Sequence, residues 1–336
     1  MLFGYDFCRS GHTFDRRKWG GIVKKWLMGA GVGLAAVSAA SYALTRELVS
    51  VAVDRDCTRP VMEKARRKFA RENAQFVAHM DRMALKLRRA PTEIVRISAR
   101  DGAPLVGHWY PCENARRILV AMHGWRSRWD QSFGLVADFL HKNNCSVLYA
   151  EQRCHGQSGG EYMGLGALER YDCQSWASWA AEKSRLPIYL AGVSMGATTV
   201  LMAAGLPLPA QVRGIIADCG FTSPEAIGRF VVKNNLHLSY AHRAAVADAL
   251  CRRKNQVGLR GTSAVEALKK NRLPVLLIHG AEDSIVPVSM SYENYRACVG
   301  PKELLIVPGA DHGMSYFVDK ARYENTMKSF WEKYDQ

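Results

Sequence analysis

From residue 93 onwards, short apolar runs alternate with longer amphipathic stretches. Six of the runs are continuous and rich in β-branched residues, which is typical of parallel strands buried on both faces. They are Ile118–Met122, Val147–Ala150, Ile188–Gly192, Ile215–Ala217, Val275–Ile278 and Leu304–Val307. The stretches between them have helical periodicity near 131–142, 167–184, 195–205, 288–299 and 315–334. Strands that alternate with helices predict a doubly wound α/β sheet.

Two features depart from this alternation. Glu93–Ala99 and Leu105–Tyr110 flank the turn signal Asp101-Gly102 and predict an antiparallel hairpin. Between Gly220 and Leu273 there is no strand-like run, and the sequence is helical and basic. We therefore predict a domain over 91–336 that carries a helical cap insertion at about 221–272.

The N-terminal part follows another pattern. Residues 26–44 form an uncharged run of 19 residues, close to the roughly 20 that a helix needs to cross a bilayer. Residues 60–89 place apolar side chains three and four apart among many cations, which predicts an amphipathic helix. We predict a basic N-terminus over 1–25, a transmembrane anchor over 26–44 and an amphipathic stalk helix over 45–90. The stalk either packs on the domain that follows or lies on anionic lipid.

The net charge of +15 is concentrated near the N-terminus. Residues 1–90 hold 18 Lys and Arg against 8 Asp and Glu, which supplies +10 of the total. The cations before the anchor are in excess, whereas those just after it are balanced by acids. Because cationic flanks stay in the cytoplasm, we predict a single-pass cell-membrane protein with a cytoplasmic N-terminus and an extracytoplasmic C-terminal domain. Membrane lipid is thus an expected partner, and nucleic acid is not.

Two alternatives to an uncleaved anchor stay open. Ser41-Tyr42-Ala43 is compatible with a signal-peptidase site, in which case the mature protein is secreted. The same segment is also compatible with a buried helix of a soluble protein.

The nine cysteines show no CxxC pair and no metal-ligand spacing. Their odd, scattered set argues against a disulfide framework. That usage is unusual for a domain outside the cytoplasm.

Gly192-Val193-Ser194-Met195-Gly196 matches the pattern GxSxG. The pattern follows a predicted strand and precedes a predicted helix, the context in which such a serine projects at the edge of a sheet. The glycines on both sides relieve crowding in a strained turn. We therefore predict that Ser194 is a nucleophile rather than an inert turn residue.

Two more loops carry matching side chains. Asp283 and His312 follow the last two predicted strands, and the carboxyl ends of parallel strands meet at one edge of a sheet. The chain order Ser, Asp, His is that of one class of serine hydrolases. We predict Asp283 as the acid and His312 as the base, with Asp218 as the competing acid. Structural roles are expected for Glu282, Asp311, His123 and His155.

These residue types define a chemistry. A serine hydroxyl is a poor nucleophile until a hydrogen-bonded imidazole takes its proton, and a carboxylate on the other ring nitrogen fixes the tautomer. The oxyanion that forms needs preorganised N–H donors. We expect these to be the backbone amides of Met195, next to the nucleophile, and Trp125, in the loop after the first core strand.

The motifs together resemble the α/β-hydrolase superfamily, and more narrowly the bacterial membrane-anchored hydrolases of the serine aminopeptidase-like or acyl-CoA thioesterase-like group. They are HGW at 123–125, EQRCHGQSGG at 151–160, GVSMGA at 192–197, ADCGFTS at 217–223, HGAEDSIVP at 279–287 and GADHG at 309–313. The resemblance covers about 93–334. It implies a mostly parallel eight-stranded sheet flanked by helices, with the second strand antiparallel, and neither a metal nor an organic cofactor. The chain carries Cys154 where relatives usually have glycine.

The resemblance also implies hydrolysis of small carboxylic esters or related acyl substrates through an acyl-enzyme. A serine peptidase and a thioesterase or acyltransferase use the same three residues and stay open as alternatives. The predicted cap is basic, which does not favour the acidic pocket that would bind a peptide's amino terminus. A non-catalytic binding module is disfavoured because all three residues are present.

Overall fold

The computed structural model describes residues 37–57 and 60–335, in two compact units, Met1–Thr45 and Arg46–Gln336. In the first unit, the described residues 37–45 are helical. The predicted basic N-terminus and residues 26–36 of the predicted anchor lie outside the described residues. Within the described part of the chain, no helix is both long enough and apolar enough to cross a membrane. The anchor, and with it the membrane location, stays a prediction from the sequence.

Eight strands form one sheet in the second unit. They are β1 Glu93–Ser98, β2 Pro104–Tyr110, β3 Arg117–Met122, β4 Cys145–Glu151, β5 Ile188–Val193, β6 Val212–Asp218, β7 Val275–Gly280 and β8 Lys302–Val307. Their spatial order is β1-β2-β4-β3-β5-β6-β7-β8. Strand β2 is antiparallel to both of its neighbours, and all other neighbouring pairs are parallel. The predicted hairpin, the six core strands and the antiparallel second strand are confirmed.

The described helices of this unit are α1 46–53, α2 Pro60–Glu72, α3 Ala74–Arg88, α4 Trp129–Lys142, α5 Glu169–Lys183, α6 Met195–Ala203, α7 Pro224–Phe230, a π-helical turn Val231–Asn235, α8 Ala244–Asn255, α9 Ala264–Leu268, α10 Ser289–Ala297, α11 Ser315–Val318 and α12 Lys320–Tyr334. The stretch predicted as one helix over 315–334 is two. Asp319 leaves helical geometry, and its carboxylate caps α12 by accepting a hydrogen bond from the Arg322 N–H.

Helices cover both faces of the sheet, which explains why the core strands are continuously apolar. Every residue of β3 and β7 is buried. On one face, Trp176 of α5 and Leu201 of α6 belong to the core cluster. On the other face, Phe139 of α4 stacks on Trp331 of α12. The insertion between β6 and β7 is helical, as predicted, and contains α7, the π-helical turn, α8 and α9.

The amphipathic stretch over 60–89 also forms two helices rather than one. The helical geometry is interrupted at Asn73, between α2 and α3. Phe76 and Leu87 of α3 are buried in the cluster that α4 completes. Arg88 donates to the buried carboxylate of Asp130 in α4 at 2.5 Å. From Arg46 onwards, the described residues of the predicted stalk belong to the compact unit that contains the predicted C-terminal domain.

The packing of α3 on α4 makes a testable prediction. A Cβ at Gly134 in α4 would lie 2.7 Å from the backbone nitrogen of Ala84, whereas a Cβ at Gly228 in α7 meets no atom closer than 3.8 Å. We expect Gly134→Ala to lower the free energy of unfolding by about 1–3 kcal/mol through overpacking. Gly228→Ala is the matched control and should raise it by about 0.5–1 kcal/mol. Thermal midpoints of the full chain check this, and equal midpoints for the two variants would contradict it.

Candidate active site

The turn between β5 and α6, which carries Ser194, has a strained backbone and leaves no space for side chains at its glycines. Ser194 has φ 56° and ψ −117°, a conformation that a non-glycine residue adopts only when its surroundings enforce it. A Cβ on Gly192 would lie 2.2 Å from the backbone of Gly196, and one on Gly196 would lie 1.9 Å from the carbonyl oxygen of Met122. Only glycine therefore fits two positions before and two positions after the serine. The Ser194 N–H donates to the carbonyl of Asp218 at 2.8 Å, which ties the turn to the end of β6.

A hydrogen-bonded chain connects Ser194, His312 and Asp283. His312 Nδ1 donates to Oδ2 of Asp283 at 2.7 Å, and its Nε2 accepts from the Ser194 hydroxyl at 2.9 Å. The tautomer follows from the partners, because an ionised carboxylate only accepts. The other carboxylate oxygen of Asp283 accepts from the N–H groups of Ile285 and Val286, at 2.9 and 2.8 Å.

The loops that carry Asp283 and His312 are locked together. A Cβ on Gly280, at the end of β7, would lie 2.2 Å from the carbonyl oxygen of Ala310, so the two loops approach as closely as backbones allow. Asp311 joins them: its carboxylate accepts from the Ser284 N–H at 2.8 Å and from the His312 N–H at 2.7 Å. The structural role predicted for Asp311 is thus to hold the acid loop against the base loop.

The turn after β3 lies beside the serine. Ser127 N–H donates to the Gly124 carbonyl at 3.2 Å, and Arg126 within the turn has φ 48°. A Cβ on Gly124 would lie 3.4 Å from the Cβ of Ser194. Among the described residues, the backbone N–H of Trp125 has no hydrogen-bond acceptor. Met195 is the first residue of α6, so its amide has no acceptor within the helix.

Two neutral histidines connect this turn to the loop after β4 by hydrogen bonds. His123 Nδ1 donates to the Gly124 carbonyl at 2.8 Å, and its Nε2 accepts from the Gln152 N–H at 3.0 Å. His155 Nε2 accepts from the Arg126 N–H at 3.0 Å. One nitrogen of each ring therefore accepts a hydrogen bond, which requires the neutral form of the imidazole. Both histidines have the structural role predicted for them.

Comparison with known proteins gives the same scaffold. Residues 113–257 match the family model described as serine aminopeptidase, S33. The uncharacterised protein YqkD of Bacillus subtilis is 31% identical over 187 residues, 55% of this chain and 61% of its own length. The match to YfhR of Escherichia coli K12 is 25% identical and covers 66% of this chain and 73% of that protein. Esterase Pf2001 of Pyrococcus furiosus superposes with a TM-score of 0.59 at 22% identity, over 74% of this chain and 94% of the esterase.

The chain has the α/β-hydrolase fold, and residues 113–257 resemble the serine aminopeptidase family within it. The comparisons support a hydrolase on this scaffold, with the eight-stranded sheet described above. The matched region spans less than two thirds of YqkD.

The structure explains two local features of the sequence, the position of Asp218 and the cysteine at position 154. Asp218, the competing acid, lies on the same sheet edge, but its carboxylate contacts Ser315 Oγ at 3.5 Å rather than an imidazole nitrogen. Cys154, where relatives usually have glycine, adopts φ 64°. The turn therefore keeps the left-handed conformation that glycine favours despite the substitution.

Sequence reasoning gave no role to His279, which the structure places directly behind Asp283. Its Nε2 donates to the Val286 carbonyl at 2.9 Å and lies 3.1 Å from Oδ2 of Asp283, while Nδ1 accepts from the Ser291 hydroxyl at 2.6 Å. The histidine thus orients the loop that carries the acid. Its position directly after a predicted strand and four residues before Asp283 was the available signal.

Asp283 and His312 shift each other's protonation. Burial alone would raise the pKa of Asp283, but hydrogen bonds from His279 and His312 outweigh burial and hold it well below its ordinary range. Burial would likewise lower the pKa of His312, but the Cys219 sulfur and the Asp283 carboxylate raise it well above its ordinary value. Burial raises the pKa of Asp218 to about 6. The carboxyl group of Asp283 therefore loses its proton at a lower pH than that of Asp218.

Among the described residues, Cys219, Asp283 and His312 form a group whose side chains include potential metal-ligand atoms within 4.8 Å of one another. Both nitrogens of His312 already serve Asp283 and Ser194. A metal at this cluster would have to break that chain, so the donor set fits proton transfer better than metal binding.

Of two cavities in the described part of the chain, the smaller one borders the site. A groove of about 500 Å³ opens between the cap and α10, with Glu225, Arg229, Lys233 and Met290 among its lining residues. A narrow cavity of about 40 Å³ lies between the sheet and helices α4 and α12. Val193 and Gly313, the neighbours of Ser194 and His312, line this second cavity.

The electrostatics predict how the histidines titrate. We expect the His312 imidazole to titrate above pH 6.5 and its pKa to fall in Asp283→Asn, because the substitution removes the carboxylate that stabilises the imidazolium. His123 is the internal control: burial and the neighbouring His155 lower its pKa to about 3, so it should stay neutral in both proteins. Side-chain NMR of the full chain checks this. A His312 pKa at or below 6.5, or one unaffected by Asp283→Asn, would contradict the prediction.

Proposed function

We propose that this protein is a serine hydrolase that cleaves carboxylic esters or related acyl substrates through an acyl-enzyme. In this proposal Ser194 is the nucleophile, His312 the base and Asp283 the acid. The observation that carries it is the unbroken chain of hydrogen bonds from Ser194 through His312 to Asp283, at 2.9 and 2.7 Å. A serine held at φ 56° between two obligatory glycines adds support, because strain of this kind is concentrated at functional sites.

In the proposed acylation step, His312 Nε2 takes the Ser194 proton as Oγ attacks the carbonyl carbon of the substrate. Asp283 stabilises the imidazolium through Nδ1–H. The proton on Nε2 then passes to the departing alkoxide, and the acyl group remains on Ser194. In the second half of the reaction, the same nitrogen deprotonates a water molecule that attacks the acyl carbon. The bond between the acyl carbon and Ser194 Oγ then breaks, the proton returns to Oγ, and the acid leaves.

The oxyanion of the tetrahedral intermediate is assigned to the amides of Trp125 and Met195. Met195 follows Ser194 in the chain, and Trp125 follows Gly124, whose Cβ would lie 3.4 Å from that of Ser194. Neither amide has a hydrogen-bond acceptor among the described residues. One such donor is worth about 3 kcal/mol of barrier. Two amides that the fold leaves free are the second support for acyl transfer.

Ester cleavage is favoured over aminopeptidase activity by the charges of the large groove. An aminopeptidase needs an acidic pocket to bind the substrate's ammonium group. Two carboxylates line the groove, Glu225 and Glu293, but Glu225 is bound by Arg260 at 3.1 Å and the cations Arg229 and Lys233 line the same groove. The name of the Pyrococcus furiosus neighbour agrees with an esterase, whereas the name of the family model keeps the peptidase as the second candidate.

The proposal predicts a serine-dependent activity in the full chain. A fluorophosphonate probe should label the protein, and p-nitrophenyl esters from acetyl to palmitoyl should be hydrolysed with one preferred chain length. Ser194→Ala should abolish labelling and hydrolysis, whereas the exposed Ser239→Ala should retain both. Labelling of Ser194→Ala at the wild-type level would sink the nucleophile assignment. A higher kcat/KM for aminoacyl p-nitroanilides or acyl thioesters than for esters would replace the ester by those substrates.

The proposal also distinguishes the two buried carboxylates. Asp283→Asn should reduce kcat by about 10⁴-fold, because an amide cannot fix the tautomer that His312 needs. Asp218→Asn is the matched control and should cost less than about tenfold, because its side chain does not reach the imidazole in the described geometry. Steady-state kinetics with the preferred p-nitrophenyl ester compare the two. Equal losses would mean that the acid has been assigned to the wrong strand end.

A further inference from the structure

Residues 49–55, here called the strap, comprise the end of α1 and the residues just after it. The sequence places them in a stalk outside the predicted hydrolase domain. In the structure, the strap contacts three separate parts of that domain: the turn 124–127, the loop 154–162 and the cap helix α8.

Against the turn, the strap presents backbone carbonyl groups. The Arg126 guanidinium donates to the carbonyls of Val51 at 2.8 Å, Asp54 at 2.6 Å and Arg55 at 3.2 Å. The last carbonyls of a helix have no partner within it, and an arginine placed there satisfies them and opposes the helix dipole. Trp125 adds a fourth carbonyl contact, because its Nε1–H donates to Ala52 at 2.9 Å.

Against the loop, the strap is held by Arg55. Its guanidinium donates to the carbonyls of Gly156, Ser158 and Gly160, at 2.7, 2.6 and 3.2 Å. Two backbone bonds flank these contacts, from the Arg55 N–H to Glu161 and from the Met163 N–H to Val53. The strap therefore pairs with the loop nearly as an added strand.

Against the cap, the strap uses charge and apolar packing. Asp54 accepts from Lys254 of α8 at 2.7 and 2.9 Å. Val49 and Val53 are buried, with 4% and 1% of their surface exposed, in a cluster with Ala247 and Cys251 of α8. The cap is thus attached to the rest of the unit partly through the strap.

Other hydrogen bonds hold the residues on both sides of Trp125. Gly124 is bonded to His123 and Ser132, and the Arg126 N–H to His155. Among the described residues, the only hydrogen bond of Trp125 itself is the one from its side chain to the strap. Trp125 is 36% exposed, and exposed turns are the segments of a protein that open most readily. A preorganised N–H donor is effective only while its position is fixed.

We propose that the strap is a positioning element of this hydrolase: it fixes the turn 124–127 and so keeps the Trp125 amide in place for the oxyanion. The proposal rests on the function proposed above. The strap does not touch the substrate's reacting atoms, and it acts through Arg126 and the Trp125 side chain. Residues 49–55 are therefore part of the active unit rather than of a spacer.

The test uses Arg126→Ala and Arg55→Ala in the full chain, with p-nitrophenyl butyrate as substrate and rates normalised to the serines that a fluorophosphonate probe labels. We expect each variant to lower kcat by about tenfold or more with little change in KM, because a displaced donor is missed mainly in the transition state. Arg126→Lys, which retains a donor, should recover part of the loss. The exposed Arg185→Ala, before β5, is the matched control and should behave as wild type.

Two further readouts separate positioning from general destabilisation. The double variant Arg55→Ala/Arg126→Ala should lose no more than the worse single variant, because both substitutions release the same segment. The pH at which kcat/KM rises should not change, because the strap touches neither His312 nor Asp283. Hydrogen exchange at 124–128 should be faster in Arg55→Ala, because the side chain that this variant loses binds the loop 154–162 and not the turn itself.

The outcomes are distinct. Normal kcat in both single variants, or losses that multiply in the double variant, would overturn the strap proposal while leaving the hydrolase intact. An Arg126→Ala protein that does not fold leaves Arg55→Ala and its hydrogen exchange to decide. Failure of the proposed function would instead appear in the wild type, as labelling and ester hydrolysis that do not depend on Ser194, and the strap proposal would fall with it.

Discussion

The close approach of Gly196 to the end of β3 is the constraint on which the site depends. A single methyl group on Gly196 would come within 1.9 Å of the Met122 carbonyl oxygen, so helix α6 can start here only without a side chain at that position. This contact brings the start of α6, the strained Ser194 and the turn that follows β3 into one place. Without it, the serine and the Trp125 amide would belong to separate parts of the sheet edge.

The same edge shows how close packing controls charge. Asp283 is buried yet ionised, because four N–H groups face its two oxygens, from Ile285, Val286, His279 and His312. His123 is buried and His155 half-buried, and both are neutral, because each is fixed between one donor and one acceptor. In the same geometry the Nδ1 proton of His312 is held by Asp283, and Nε2 accepts the hydrogen bond of the Ser194 hydroxyl.

Much of this architecture could be predicted from the sequence, for physical reasons. Strands buried on both faces must be apolar throughout, so the six core strands were visible, and GxSxG reports a turn that only glycine permits. Asp283 could be separated from Asp218 only by position in chain order, since both follow strands; the 2.7 Å contact with His312 separates them by geometry. The break at Asp319 depends on a local cap that helical periodicity does not record. The strap escaped prediction because Arg126 and Arg55 bind backbone carbonyls, which every residue possesses.

The cysteines described above have a consequence for where such a chain can work. Eight of them, all but Cys8, lie in the described part of the chain, and all eight are free; seven are buried. Burial raises the pKa of the thiols of Cys145, Cys154 and Cys251, to about 11, 12 and 12 respectively, and thiols react with oxidants as thiolates. The fold thus neither gains a cross-link from an oxidising medium nor offers these sulfurs to it. The stability of the described fold therefore rests on no cross-link between its cysteines.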